Sequence, residues 1–350
     1  MTLSLQQSRG VKTTKNILCA CLLILPTAGV VNPPMPAVGP TVVRLPAGVT
    51  SAEIQKALDR LPESGGEVVL PPGNFEVYQP IILWRDQQTL RGCGAETVLH
   101  LADDANCPVI ILGEAVNNPQ QTVKFLRVAD LFIDGNRLYQ QRELWHLQGE
   151  DSEIHNNGIT VQNVSDSVVE HVTCAHCRSG GLVTTRGVSQ LTVRDLAAFD
   201  NEFDGLAGYE TTNCLFTDLC LRDNPGAGIS LDLAFNHNVI SNAVLVANNL
   251  GIFMRASCDN QFYNISIRDS RQYGVFMAHT VEQTANGWQA VPQTECEQNY
   301  FTNLTAADCG IAAFWINNVT CTNNVIGGAW LGESVRSEFL PSHPHWATAR

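Results

Sequence analysis

Residues 228–242 read GISLDLAFNHNVISN. Apolar Ile229, Leu231 and Leu233 alternate with Ser230 and Asp232, the period-two pattern of a strand with one buried face. Twenty-three residues on, the phrase returns as GIFMRASCDNQFYN with Arg255 in the place of Asp232. Twenty-three residues back it stands as GLAGYETTNCLFTD with Tyr209 there. Aligned on a glycine followed by an apolar residue, the chain gives Gly158, Gly181, Gly205, Gly228, Gly251 and Gly274 at steps of 23, 24, 23, 23 and 23. Gly310 follows after 36, so one turn carries an insertion of about 13. A fixed period of this size marks stacked supersecondary units. No unit holds a helical stretch of ten residues. Short strands, polar turns and this period predict an all-β solenoid, a parallel β-helix with coils of about 23 residues.

Strand alternation sends Ile229, Leu231 and Leu233 into the core and Asp232 outward. Parallel strands lie about 4.8 Å apart, so residues in one repeat slot form a column on one face. The outward slot four after the glycine runs Gln162, Thr185, Tyr209, Asp232, Arg255, Ala278, Phe314. The slot two after it runs Thr160, Val183, Ala207, Ser230, Phe253, Phe276, Ala312. Together they describe a shelf, small and polar at one end and aromatic at the other. Tyr209, Asp232 and Arg255 at its centre are the candidate catalytic residues. A structural ion pair accounts for Asp232 equally well. Five after the glycine, Arg186, Glu210 and His279 border the shelf, and Phe253 and Phe276 offer aromatic faces to a sugar ring. Insertions at 137–157, with His155, and at 280–300 either wall a groove or form solvated loops.

The turns carry Asp166, Ser189, Asn213, Asn236, Asp259 and Asn318 eight after each glycine, with Glu282 the exception. Stacked Asn and Asp suit bends of left-handed geometry. Ahead of the repeats, Thr50 or Ser51 caps a short helix whose Ile54, Leu58 and Leu61 share one face and plug the open end of the coil.

Over the whole chain, 350 residues at 44% hydrophobic and 16% charged suffice for a large core, and the net charge of −13 argues against nucleic acid and anionic membranes as partners. Lysine is absent after Lys124, so a cationic site in the repeats needs arginine or protonated histidine. The N-terminus reads as an export signal over 1–29: basic Arg9, Lys12 and Lys15, an apolar stretch, then small residues at 27–29. A Pro-rich linker over 30–46, the β-helix over 47–330 and a tail over 331–350 complete the division, which implies a secreted, periplasmic or cell-surface protein. Of twelve cysteines, ten follow this signal. They show no zinc spacing, and they read either as a disulfide framework or as buried thiols packed like small hydrophobes. No metal or other cofactor is expected.

SAEIQKALDRLPESGGEVVLPPGNFEV (51–77) followed by TLRGCGAETVLHL (89–101) resembles the entry segment of the pectate-lyase-like, right-handed parallel β-helix proteins. LFIDGNR (131–137) and SQLTVRDLAAFDNEFDGLAGYE (189–210) further resemble the catalytic module of the mannuronan C5-epimerases, and the likeness spans roughly 45–325. It implies a right-handed coil and a polysaccharide partner. The chemistry it implies is removal of the C5 proton of a uronate by a base, with a cation on the neighbouring carboxylate. Arg255 or Arg186 suits the cation, Tyr209 an acid or base, and His279 or His155 a base near neutral pH. The epimerases' Asp-Pro-His-Glu stretch, however, falls on Val183, Thr184, Thr185 and Arg186, their Tyr on Gly180 and their Asp on Tyr209, so their mechanism does not carry over. Two alternatives stand beside it. One is glycoside hydrolysis by two carboxylates, with Asp232, Glu210 and Asp204 as candidates. The other is a non-catalytic, carbohydrate-binding or structural solenoid.

Overall fold

The repeat glycines sit where successive coils come closest. The computed structural model describes residues 41–147, 151–284, 287–291, 294–317, 321–332 and 348–349. A Cβ built on Gly181, Gly205, Gly228 or Gly251 would fall 2.6, 2.9, 2.9 or 2.4 Å from the carbonyl oxygen of the next glycine in the series. Gly274 meets Ala313 O in the same way, at 2.3 Å. The period is therefore written in glycine because a side chain there would push the coils apart.

One winding illustrates the rest. Leu206–Tyr209 is a strand of a nine-stranded sheet, and Glu210 turns the chain with φ 45°. Thr211–Thr212 adds to a four-stranded sheet, and Asn213 turns again with φ 55°. Leu215–Arg222 joins a fifteen-stranded sheet, bending midway at Asp218 with φ 57°. Asp223, φ 57°, leads back to the first face. The strands of successive windings pair parallel and in register, as in Leu206↔Ile229 and Ile229↔Ile252. This is the parallel β-helix that the period predicts, with the right-handed coil that the family likeness implies. The inward column Ile81, Ile110, Ile159, Leu182, Leu206, Ile229, Ile252, Val275 and Phe314 is buried throughout.

Two buried asparagine files hold the corners. At one, the backbone N–H of Cys177, Asn201 and Asn224 donates to the side-chain oxygen of Asn201, Asn224 and Asn248 on the next coil, at 2.9, 3.2 and 3.0 Å. At the other, Cys214, Asn238, Asn260 and Asn299 donate likewise to Asn238, Asn260, Asn299 and Asn324. Cys214 Sγ takes the same role toward Leu191 N at 3.3 Å. These files replace water for backbone groups that a corner leaves unpaired. The slot eight after the glycine is only partly the bend: Asp166, Asn213 and Asp259 have left-handed φ, but Gln190 and His237 take that place instead of Ser189 and Asn236. Asn318 lies outside the described residues.

Thr50 N–H donates to Glu53 Oε2 at 2.8 Å at the start of the helix Ser51–Asp59, whose Ile54 and Leu58 are fully buried with Leu61 just beyond. Gln55 reaches the edge strand Ile81–Leu83, accepting from Ile82 N–H at 2.7 Å and donating to Ile82 O at 3.0 Å. The helix thus covers an edge that would otherwise template another strand. All ten cysteines of the described residues are free, and seven are buried, so they pack as thiols. Among the described residues no helix is long and apolar enough to cross a membrane. The signal and most of the linker expected from the sequence, and nearly all of the tail, lie outside the described residues.

Two expectations need correction. Leu233 is not inward: it occupies the left-handed corner with φ 46° and is 55% exposed. Alternation ends at Asp232 because the corner begins at the next residue. The last winding is also shifted by three. Val275 pairs Phe314 and Phe276 pairs Trp315, so Phe314 faces the core and Trp315, not Ala312, continues the outward column. Gly310 packs instead against Arg271 O.

Candidate functional site

The two outward columns lie on the nine-stranded sheet. Thr160, Val183, Ala207, Ser230, Phe253, Phe276 and Trp315 are register neighbours in turn, and Tyr209 pairs Asp232. Beside the windings that start at Gly158, Gly181 and Gly205, the described residues 137–147 and 151–157 of the insertion lie over the sheet, with Leu144 bridging His155. Between insertion and sheet lies a cavity of about 340 Å³. Asp204 and Tyr209 line it from one winding, Thr185 and Arg186 from the preceding one, Glu143 and His155 from the insertion. It opens into a groove bordered by Glu153, Arg186, Glu210 and Leu233. The second insertion contributes an antiparallel hairpin, Val281–Thr284 with Gly287–Ala290.

Asp204 directly precedes the repeat glycine Gly205, where the chain turns onto the sheet. Its Oδ1 accepts the Ala227 N–H at 2.6 Å. Burial pushes its carboxyl up to about 6, against the opposing pull of Ala227 N–H and the Ser230 hydroxyl. Ser230 also bonds the Tyr209 side chain, so this hydroxyl links phenol and carboxyl. Tyr209 is pushed up to about 12, first by burial and then by the charges of Asp204 and Asp232. It is a proton donor near neutral pH, not a base.

Asp232, 3% exposed, receives Arg255 Nε at 2.7 Å and Arg255 Nη2 on the same Oδ2, while Leu233 N–H reaches Oδ1 at 2.8 Å. Arg255 in turn lies over the Phe253 ring at 5.8 Å. The pair joins the two windings beyond the cavity. Past it, Phe253 and Phe276 stack at 5.9 Å, Tyr273 and Phe276 at 4.8 Å, and Trp315 tilts against Tyr273 at 6.2 Å. Arg186 Nη2 meets Glu153 Oε2 at 2.9 Å, and its N–H donates to Glu210 Oε2 at 3.1 Å. His155 Nδ1 meets Glu143 Oε1 at 2.8 Å.

Of the residues the sequence singles out, Tyr209, Arg186 and His155 thus share the cavity, and Glu210 borders its open end. Asp232 and Arg255 neutralise each other beside it, and Phe253 and Phe276 lie on the aromatic stretch. His279 is 7% exposed and lies outside both the cavity and the groove. Asp204 enters the sequence reading only as an alternative carboxylate, and Glu143 and Glu153 not at all. The available signal is the slot before the glycine, which reads Asn157, Gly180, Asp204, Ala227, Leu250, Tyr273 and holds a single acid.

Parallel β-helix proteins of low sequence identity share this architecture. The A-module of mannuronan C-5 epimerase AlgE4 from Azotobacter vinelandii superposes with TM-score 0.53 at 15% identity, covering 86% of this chain and 96% of that one. ORF18 of Geobacillus virus E2 gives 0.60 at 16% identity, covering 83% of this chain and 58% of that one. A polygalacturonase from Erwinia carotovora gives 0.56 at 11%, covering 82% and 84%. No curated protein matches the chain. The model of the family described as periplasmic copper-binding protein (NosD) matches residues 114–333. The chain belongs to that family.

Proposed function

We propose that the chain is an exported, periplasmic or surface protein that cleaves a glycosidic bond in a polysaccharide, with Asp204 as the general acid. The observation that carries this reading is the Asp204 carboxyl raised to about 6 inside a cavity of about 340 Å³. A carboxyl that keeps its proton in mildly acidic water can give it to a leaving oxygen. Tyr209 and Ser230 orient it, Glu153 or Glu210 across the groove serves as the second carboxylate, and the Asp232–Arg255 pair fixes the neighbouring floor. The polysaccharide-acting proteins with this fold, the epimerase and the polygalacturonase, support a saccharide ligand. The family's description as periplasmic supports export.

Uronate C5 chemistry asks for a cation available to the substrate carboxylate. Arg186 and Arg255 are both held by carboxylates, which favours hydrolysis over that alternative. The family's description also names copper. Among the described residues no three His, Cys, Asp or Glu side chains form a ligand set. The soft donors Met254 and Met277 are fully buried, and burial pushes the Cys214 thiol up to about 12. These residues do not fit copper, and no step involves it. The test is a screen over soluble polysaccharides read by new reducing ends. Asp204→Asn is expected to lose activity by about 100-fold or more. Binding without turnover in both proteins would leave a binding module instead.

A further inference from the structure

We infer that one sugar ring of the substrate stacks by its apolar C–H face on Phe203, beside Asp204, and that the next ring passes Leu233 where the cavity opens. This rests on the saccharide reading above. Phe203 directly precedes Asp204 and lines the same cavity, and Leu233 lines both the cavity and the groove into which it opens. They are 42% and 55% exposed. Exposed apolar residues scattered singly call for no explanation. Two within one cavity, beside a buried acid, form a contact that an apolar surface completes. A pyranose supplies one. Its axial C–H bonds give the ring an apolar face, and the negative face of a phenyl ring attracts those hydrogens.

The slot two before the glycine reads Asn156, Ser179, Phe203, Gly226, Asn249 and Gln272, so a serine and a glycine flank the Phe203 ring in its column. Among the described residues no other aromatic ring stacks on it and no guanidinium lies over it. By contrast, Phe276 stacks on both Phe253 and Tyr273, and Arg255 lies over Phe253. That ladder turns its ring faces on itself. The backbone of Phe203 is fixed: its N–H donates to Ser179 O at 3.2 Å, and its carbonyl accepts the Gly226 N–H at 2.9 Å. A Cβ on Gly226 would come within 2.7 Å of that carbonyl oxygen and 2.4 Å of Asp204 Oδ1, so a side chain there would displace ring and acid together. Leu233 stands at the corner slot that also holds Asn163, Arg186, Glu210 and Ala256, all with φ between 45° and 56°. A large apolar side chain suits neither that backbone nor water, so the reason for it lies in what it touches outside the chain.

The test measures binding by calorimetry in the Asp204→Asn background, where a bound chain stays whole. The probes are hexamers of glucose, of N-acetylglucosamine and of galacturonate, with a fragment of any polysaccharide that the screen finds cleaved. Affinity for the tightest probe is expected to fall about tenfold with Phe203→Ala and less than about twofold with Phe203→Tyr, which keeps the ring. Leu233→Asn is expected to lose about threefold while its unfolding midpoint holds or rises, because asparagine accepts the left-handed corner. Phe276→Ala is expected to bind within about twofold of its parent. Unchanged affinity in Phe203→Ala or Leu233→Asn, equal losses in Phe203→Ala and Phe203→Tyr, or a larger loss in Phe276→Ala would overturn the inference. So would unfolding of Phe203→Ala by circular dichroism, since the ring would then be packing and not a platform. In each of these cases the cleavage reading stands while Asp204→Asn abolishes turnover. Binding through Phe203 with turnover intact in Asp204→Asn would remove the cleavage reading and leave this inference. Binding of no probe and cleavage of no polysaccharide would remove both together.

Discussion

Asp204 makes the sharpest prediction at the scale of single residues, because its proton couples function to stability. Its carboxyl is raised from 3.8 to about 6 on folding. The folded chain therefore holds this proton more tightly than the unfolded one. That advantage is complete below about pH 4 and is lost as pH rises through 6, an amount of about 3 kcal/mol. Asp204→Asn should thus leave stability unchanged near pH 4 and raise it by up to about 3 kcal/mol at pH 8, as measured by urea unfolding at the two pH values. The same titration should place the alkaline limb of kcat/KM near pH 6. The Asp232–Arg255 pair is asymmetric. Arg255 is 39% exposed in its side chain and Asp232 only 5%, so Arg255→Met strands a buried carboxylate while Asp232→Ala leaves a guanidinium that can reach water. Arg255→Met should cost about 3 kcal/mol and Asp232→Ala about half of that, by denaturant midpoint. The outward column of Tyr209, Asp232 and Arg255 is legible from the 23-residue step alone. Their partners are not, because pairing depends on which long side chain bends toward which, and no spacing encodes that.

At the scale of elements, the two buried files and a third, exposed one allow a direct comparison. Asn224 accepts from Asn201 N–H and Nδ2 and donates to Ala198 O and Asn248 Oδ1. Asn224→Ala should cost about 3–4 kcal/mol, since it leaves several buried groups unpaired. On the outside, Asn242 donates to Asp218 and accepts from Asn264. Asn242→Gly should change stability by less than about 0.5 kcal/mol, because water replaces those bonds and glycine accepts its φ of 51°. The buried files escape the sequence reading by one or two positions: Asn236 and Asp259 draw attention in the turns while Asn238 and Asn260 beside them do the internal bonding. The last winding escapes for another reason. Ala313 replaces the repeat glycine there, and no described strand of the nine-stranded sheet packs beyond it, so the mark used for alignment disappears where its cause does.

Across the whole molecule, each winding touches only its neighbours, so stability is local and passes from coil to coil. The two edges of the nine-stranded sheet differ. Ile81–Leu83 is covered by the entry helix and bonded by Gln55, whereas Ala312–Ile316 has one strand neighbour. Hydrogen exchange should be slowest for amides of the central windings, intermediate for Ile82 and fastest for 312–316. Gln55→Ala should bring Ile82 to the fast class. The sequence tells of the coil, its entry helix and its period because these rest on alternation and composition. The cavity depends on how one insertion folds back over the sheet, which is a long-range contact.

The asparagine files and the ladders of all three long sheets point the same way, along the axis about which the chain winds. A tug on the ends of the coil therefore meets these bonds one loop after another, as a zip is drawn, while a sideways load is shared by many at once. Such an object is stiff across its width and yields by unreeling from its tip.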